Sequence, residues 1–224
     1  MFFSAQEILR EATLTVDYTF DNTLLDNGPL GINGTGVNYT FSNAGRMNQS
    51  LSLSINGSYV QATGLVLLGT SGQSYSFSIW IKPTIVTEGT LIHVSQNTTG
   101  VGWCIPMLGF TNTSQIGVQS WNLSSVGLIG PVITPDVWTH ITVTYSSTNG
   151  LRLWINGTQY GSNTSPYNYA AADAPVTVTI GSSLGGTLCA TGTIKMGQYY
   201  GYVDEFQLYS RELSSSDIYN LANP

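Results

Sequence analysis

The chain has 224 residues, of which 42% are apolar and only 8% charged, with a formal net charge of −6. The length suits one large all-β domain and the apolar share suffices for a core, but the charge is far below the ~25% of ordinary soluble domains. Six Lys and Arg form no basic stripe, which argues against nucleic acid or an anionic membrane as partner. No apolar run approaches the ~18 residues that span a bilayer.

In chain order, Ser4 and Glu7 form a capping box ahead of Ile8 and Leu9, which predicts a short N-terminal helix. Residues 1–12 then read as a linker or as an arm for self-association, outside a single domain over 13–224. Met1-Phe2-Phe3 lacks a positive n-region, so a secretion signal is expected upstream or already removed. From Leu14 onward the pattern has a period of two. Leu14, Val16, Tyr18 and Phe20 alternate with polar residues, as do Tyr75, Phe77, Ile79 and Ile81, then Ile141, Val143 and Tyr145. Leu151, Leu153 and Ile155 follow, then Val176, Val178 and Ile180. Such alternation marks half-buried strands. Asn-Gly pairs at 56–57, 149–150 and 156–157 predict hairpin turns, because both residues tolerate φ > 0. Ser214 with Asp217 starts a short C-terminal helix carrying Ile218 and Leu221. The fold class expected is all-β, a two-sheet antiparallel sandwich with a short helix at each end.

Asn-x-Ser/Thr sequons occur at Asn33, Asn38, Asn48, Asn56, Asn97, Asn112, Asn122, Asn156 and Asn163. They predict an extracellular, N-glycosylated chain whose sugars supply the polarity that charge does not. Two cysteines, Cys104 and Cys189, read as one disulfide in an oxidising compartment; two buried thiols are the alternative.

The sequence resembles the laminin-G-like, concanavalin-A-like family, the jelly roll shared with pentraxins. The matching segments are Asp17 to Asp21 with Asp26-Asn27-Gly28, then Gly45-Arg46 with Ser50 to Leu53 and Tyr59-Val60. Tyr75 to Pro83, Trp138 to Tyr145, Leu151 to Gly157 and Gly201 to Leu221 follow in the family's order. The resemblance covers about residues 14–222 and implies a two-sheet jelly roll that binds carbohydrate, protein or matrix. It names no ligand.

Some relatives on this fold hydrolyse glycosides with two carboxylates facing one cleft. Here the acidic pair is Asp204-Glu205, and strict alternation sends adjacent residues to opposite faces, which argues against an enzyme. Alternation also places Asp204 on the core side with Tyr202, Phe206 and Leu208. A buried carboxylate there either accepts backbone N–H bonds and fixes a loop or, with Asp21 and Asp26, ligates calcium. Trp80, His140, Arg152 and Trp154 fall on the faces away from the aliphatic rows and together could form a saccharide platform; a second layer of core under covering loops is the competing reading. The function expected is an extracellular recognition module for carbohydrate or protein. A glycosylated structural subunit of a matrix, coat or filament is the first alternative, and a glycoside hydrolase the second.

Overall fold

The computed structural model describes residues 12–164, 167–186, 189 and 192–224. All but the last residue of the arm expected over 1–12 lies outside these described residues. The chain runs through β1 (Leu14–Tyr18), β2 (Thr35–Val37), β3 (Thr40–Ser42), β4 (Ser50–Leu53), β5 (Tyr59–Leu65) and β6 (Tyr75–Pro83). It continues with β7 (Thr90–Ser95), β8 (Cys104–Phe110), β9 (Gln115–Trp121) and β10 (Ser125–Val132). β11 (Thr139–Ser146), β12 (Gly150–Ile155), β13 (Thr158–Asn163), β14 (Val176–Ile180), β15 (Gly201–Tyr209) and helix α1 (Ser215–Ala222) complete it.

Two antiparallel sheets stack as the alternation predicts. The first has the order β13-β12-β11-β6-β15-β4-β3, with β1 also paired to β15. The second has the order β10-β9-β8-β7-β14-β5-β2. The inner face of the first sheet supplies Phe77, Ile79, Ile81, Ile141, Val143, Leu151, Leu153, Val203 and Leu208 to the core. The second answers with Val60, Ile92, Val94, Ile105, Ile116, Val118, Val178 and Ile180. A cluster of tyrosines closes one end: Tyr145 Oη donates to the Tyr167 carbonyl and accepts from the Tyr169 N–H, while Tyr169 Oη donates to Leu68 O.

Two of the three Asn-Gly pairs make hairpins. Residues 149–150 join β11 to β12, and 156–157 join β12 to β13 with positive φ at both Asn156 and Gly157, the geometry of a two-residue type I′ turn. The pair at 56–57 does not: it links β4 of one sheet to β5 of the other. A turn-forming dipeptide fixes local backbone but not which sheet the next strand joins. Helix α1 starts as expected, with Ser214 Oγ accepting from Asp217 N and the Asp217 carboxylate accepting from Ser214 N. It lies on the outer face of the first sheet, where Leu213 and Ile218 pack on Leu14, Trp154 and Tyr209.

The predicted cysteine pair is a disulfide, Cys104–Cys189, 85 residues apart in sequence. His93 lies beside it, with Nε2 3.0 Å from Gly100 O and 3.8 Å from Cys189 Sγ.

Candidate functional site

The site is built on β6 and β15, where the period of two breaks. Tyr202 pairs with Lys82, Val203 with Ile81 and Asp204 with Trp80, after which Gln207 pairs with Ser78. Glu205 and Phe206 therefore oppose the single residue Ile79, which is a β-bulge. Glu205 holds the bulge with φ of 48°, a left-handed conformation that costs a non-glycine residue about 1 kcal/mol or more. Val203 and Phe206 both point into the core, leaving the two residues between them on the outside.

This overturns two expectations. Asp204 is not on the core side with Phe206 and Leu208; it is on the outer side, opposite Trp80. Asp204 and Glu205 are also not sent to opposite faces, because the extra residue lets both face outward. The sequence does hold a signal for this: the apolar residues Val203, Phe206 and Leu208 are spaced by three and then by two.

Asp204 is fully buried and fixes a loop. Its Oδ2 accepts from Arg46 N at 2.8 Å and Met47 N at 3.0 Å, and its Oδ1 from Glu205 N at 3.0 Å. Burial pushes its carboxyl up to about 7 against those three N–H donors. Asp26 is similarly engaged, accepting from the N–H groups of Asp17, Gly28 and Ile32. Asp21 accepts from Gln49 N and Asn48 Nδ2. Calcium needs six or more converging oxygens, whereas these three carboxylates face N–H donors. Among the described residues, the group whose ligand atoms converge is His93, Cys104 and Cys189, and its two sulfurs are bonded to each other.

Glu205 instead lines a cleft of about 320 Å³ on the outer face. Trp80 and His140 form part of its wall with Ser78, Gln207 and Tyr209. Asp17 and Asn27 line it from the first strand and loop, and Asn220 and Leu221 from α1. The polar groups hold one another: Gln207 Nε2 donates to Asp17 Oδ1, Tyr209 Oη donates to Gln207 Oε1, and Ser78 Oγ lies 2.7 Å from His140 Nε2. Burial, with the Arg46 guanidinium adding to it, pushes the His140 imidazole down to about 3, so the ring stays neutral near pH 7. Burial, with Asp204, Asp17 and Asp21 nearby, pushes the Glu205 carboxyl up to about 8. Trp80 Nε1 and His140 Nδ1 are buried without a hydrogen-bond partner, an uncommon state that marks a place for water or ligand.

The four residues expected to form a platform do share one face, but they do not form one open surface. Trp80 is 6% exposed and His140 1%. The Arg46 guanidinium lies 4.5 Å above the Trp80 ring centroid. Trp154, 7% exposed, packs under α1 with Nε1 donating to Thr144 Oγ1. Arg152 pairs with Glu212 at 3.4 Å and lines, with Trp154, a separate groove on the other side of the helix. Helix α1 thus divides the face that alternation alone left whole. Of the sequons, Asn33, Asn38, Asn48, Asn56, Asn97, Asn112 and Asn156 are exposed, and Asn122 and Asn163 are half-buried.

No curated protein sequence matches the chain. Among solved structures, domain 4 of AbnA, an extracellular GH43 arabinanase of Geobacillus stearothermophilus in complex with arabinotriose, is similar at 23% identity and a TM-score of 0.65, over 94% of this chain and 98% of that one. The botulinum neurotoxin serotype D ligand-binding domain, in complex with N-acetylneuraminic acid, is similar at 19% identity and a TM-score of 0.67, over 98% of this chain. The binding domain of Paraclostridial Mosquitocidal Protein 1 matches at 17% identity and a TM-score of 0.66, over 95% of this chain. The chain spans about half the length of each toxin domain, 52% in both cases. At these identities the likeness establishes the fold. The model of the concanavalin A-like lectin/glucanases superfamily in its third laminin G form matches residues 54–219, and the chain belongs to that family.

Proposed function

We propose that the chain is an extracellular recognition module that binds saccharide in the cleft walled by Trp80, His140, Glu205 and Gln207, without cleaving it. The observation that carries this reading is the cleft itself: amide, hydroxyl and carboxyl groups beside the Trp80 and His140 rings, each with an unpartnered nitrogen. That combination suits a ring whose faces are apolar and whose edges carry hydroxyls. The lectin-like family supports the reading, as does the arabinotriose bound by a similar domain. The disulfide is compatible with secretion, as is the finding that no described helix is long and apolar enough to cross a membrane. The sequons add to this, with glycans supplying polarity where charge is scarce. Calcium has no part in the proposed binding, because N–H donors already occupy Asp21, Asp26 and Asp204.

Isothermal titration with a panel of neutral oligosaccharides, arabinotriose among them and EDTA present, tests the proposal. At least one should bind. Gln207→Ala should weaken that ligand by about tenfold or more with little change in Tm, while Gln159→Ala, across α1, should leave it unchanged. Binding that is indifferent to Gln207→Ala would place the ligand elsewhere. Release of sugar from the ligand on long incubation would contradict the non-catalytic half of the reading.

A further inference from the structure

We infer that Glu205 meets the saccharide as a neutral carboxyl and donates a hydrogen bond to a sugar oxygen, so that the cleft holds its ligand less tightly as the solution turns alkaline; this rests on the cleft being the binding site. The bulge in β15 brings Asp204 and Glu205, neighbours in sequence, to the same outer side. Two adjoining carboxyls repel each other if both ionise. Asp204 collects the N–H groups of Arg46, Met47 and Glu205, and such donors favour its charged form. Glu205 lines the cleft, and none of those three bonds reaches its carboxyl. Nor do the bonds that tie Gln207 to Asp17, Tyr209 to Gln207 and Ser78 to His140. The negative charge therefore settles on Asp204 and the proton on Glu205.

The surroundings act in the same direction. Burial comes first, and Asp204, Asp17 on β1 and Asp21 in the loop after β1 add to it, pushing the Glu205 carboxyl up to about 8. The Asp204 carboxyl, up at about 7, ionises before it. The other charged or titratable groups of this face are engaged or neutral. Arg46 lies over the Trp80 ring at 4.5 Å and Lys82 over the Tyr202 ring at 5.6 Å. Burial keeps His140 on β11 neutral, and α1 contributes Asn220 and Leu221. A neutral carboxyl has one O–H to give. Trp80 Nε1, a donor only, is buried in the same wall without a partner. Hydroxyl, ring and glycosidic oxygens of a saccharide can all accept from such donors, and an ionised Glu205 has no proton to offer them.

The test is isothermal titration of arabinotriose, lactose and galactotriose across pH, with the fold checked by circular dichroism at each point. For a sugar that binds, affinity should be nearly level below about pH 7 and fall by about tenfold toward about pH 9.5. Glu205→Gln, whose amide donates at every pH, should show a clearly smaller fall. Glu205→Ala should weaken binding near pH 6 by about tenfold or more. An affinity that stays flat or rises with pH would mean that the sugar donates to an ionised Glu205; it would overturn the inference and leave the cleft as a saccharide site. An equal fall in the parent and in Glu205→Gln would also overturn it, because the titrating group would then lie elsewhere. Failure of every sugar at every pH would overturn the site and the inference together.

Discussion

Strands β6 and β15 lie side by side in one sheet and are nine residues each. β6 alternates without interruption: Tyr75, Phe77, Ile79 and Ile81 enter the core while Ser76, Ser78, Trp80 and Lys82 face out. β15 keeps that rhythm only to Asp204, inserts Glu205, and resumes at Phe206. The unbroken strand is fixed by the core it fills. The broken one gives up a pairing and accepts a left-handed residue, and what it gains is a second carboxyl on the outer face. Regularity builds the sandwich here, and the irregularity supplies the acidic wall of the cleft.

Deleting one residue from each strand breaks the comparison most sharply. Without Ile79, everything beyond it in β6 would exchange faces, and no soluble folded protein should be recovered. Without Glu205, Val203, Phe206 and Leu208 still point inward and the bulge simply closes. The fold should survive, with stability within about 1 kcal/mol of the parent because the left-handed residue is gone, while saccharide binding is lost. Denaturant titration and circular dichroism distinguish the two. If both deletions unfold the protein, the bulge is part of the scaffold and the contrast fails.

A smaller effect is expected at Asp204, the residue just before the bulge. Asp204→Ala leaves three N–H donors without their acceptor and frees the loop at Arg46 and Met47. The expected loss is about 2–3 kcal/mol, measured as a shift in the denaturation midpoint. Asp204→Asn should recover part of it.

The smallest effect is a pH dependence centred on Glu205, whose carboxyl sits up at about 8 in the fold against an ordinary value of 4.5. Below about pH 4.5 both folded and unfolded chains hold the proton, and its contribution to stability is complete. As pH rises toward 8 the unfolded chain loses the proton first, so stability falls, by about 1–2 kcal/mol once the partial exposure of the group is allowed for. Glu205→Gln should lessen this decline, leaving the part that Asp204 contributes with its carboxyl up at about 7, and should exceed the parent in Tm above about pH 8. A parent whose stability is flat over that range would show that Glu205 is ionised in the fold.

The sequence made the regular parts legible for a physical reason. Strands such as 75–82 and 140–145, with apolar residues turned to the core and mostly polar ones to the other face, leave a two-residue trace, and the Asn156-Gly157 turn and the Ser214 cap are set by a few neighbouring residues. The helix cap could be read from two side chains, but the place where α1 docks could not, because it depends on Leu14 and Trp154, far away in sequence. The covering of Trp154 was open for the same reason. Trp80 lies under Arg46 through a loop held 158 residues away by Asp204, a long-range contact that local pattern does not encode. The bulge was different. Its trace was present in the spacing of Val203, Phe206 and Leu208, and strict alternation read past it.

Leu14 and Pro224 line the same cleft, and β1 runs antiparallel to β15 with Leu14 opposite Tyr209. Tension applied between residues 12 and 224 would therefore load α1 and β1, the elements at the two ends of the described chain. The Cys104–Cys189 bond, between cysteines 85 positions apart, keeps the stretch between its ends from being drawn out. Such a load would act on the elements around the outer cleft, while the strand β8 that carries Cys104 stays tied by its disulfide.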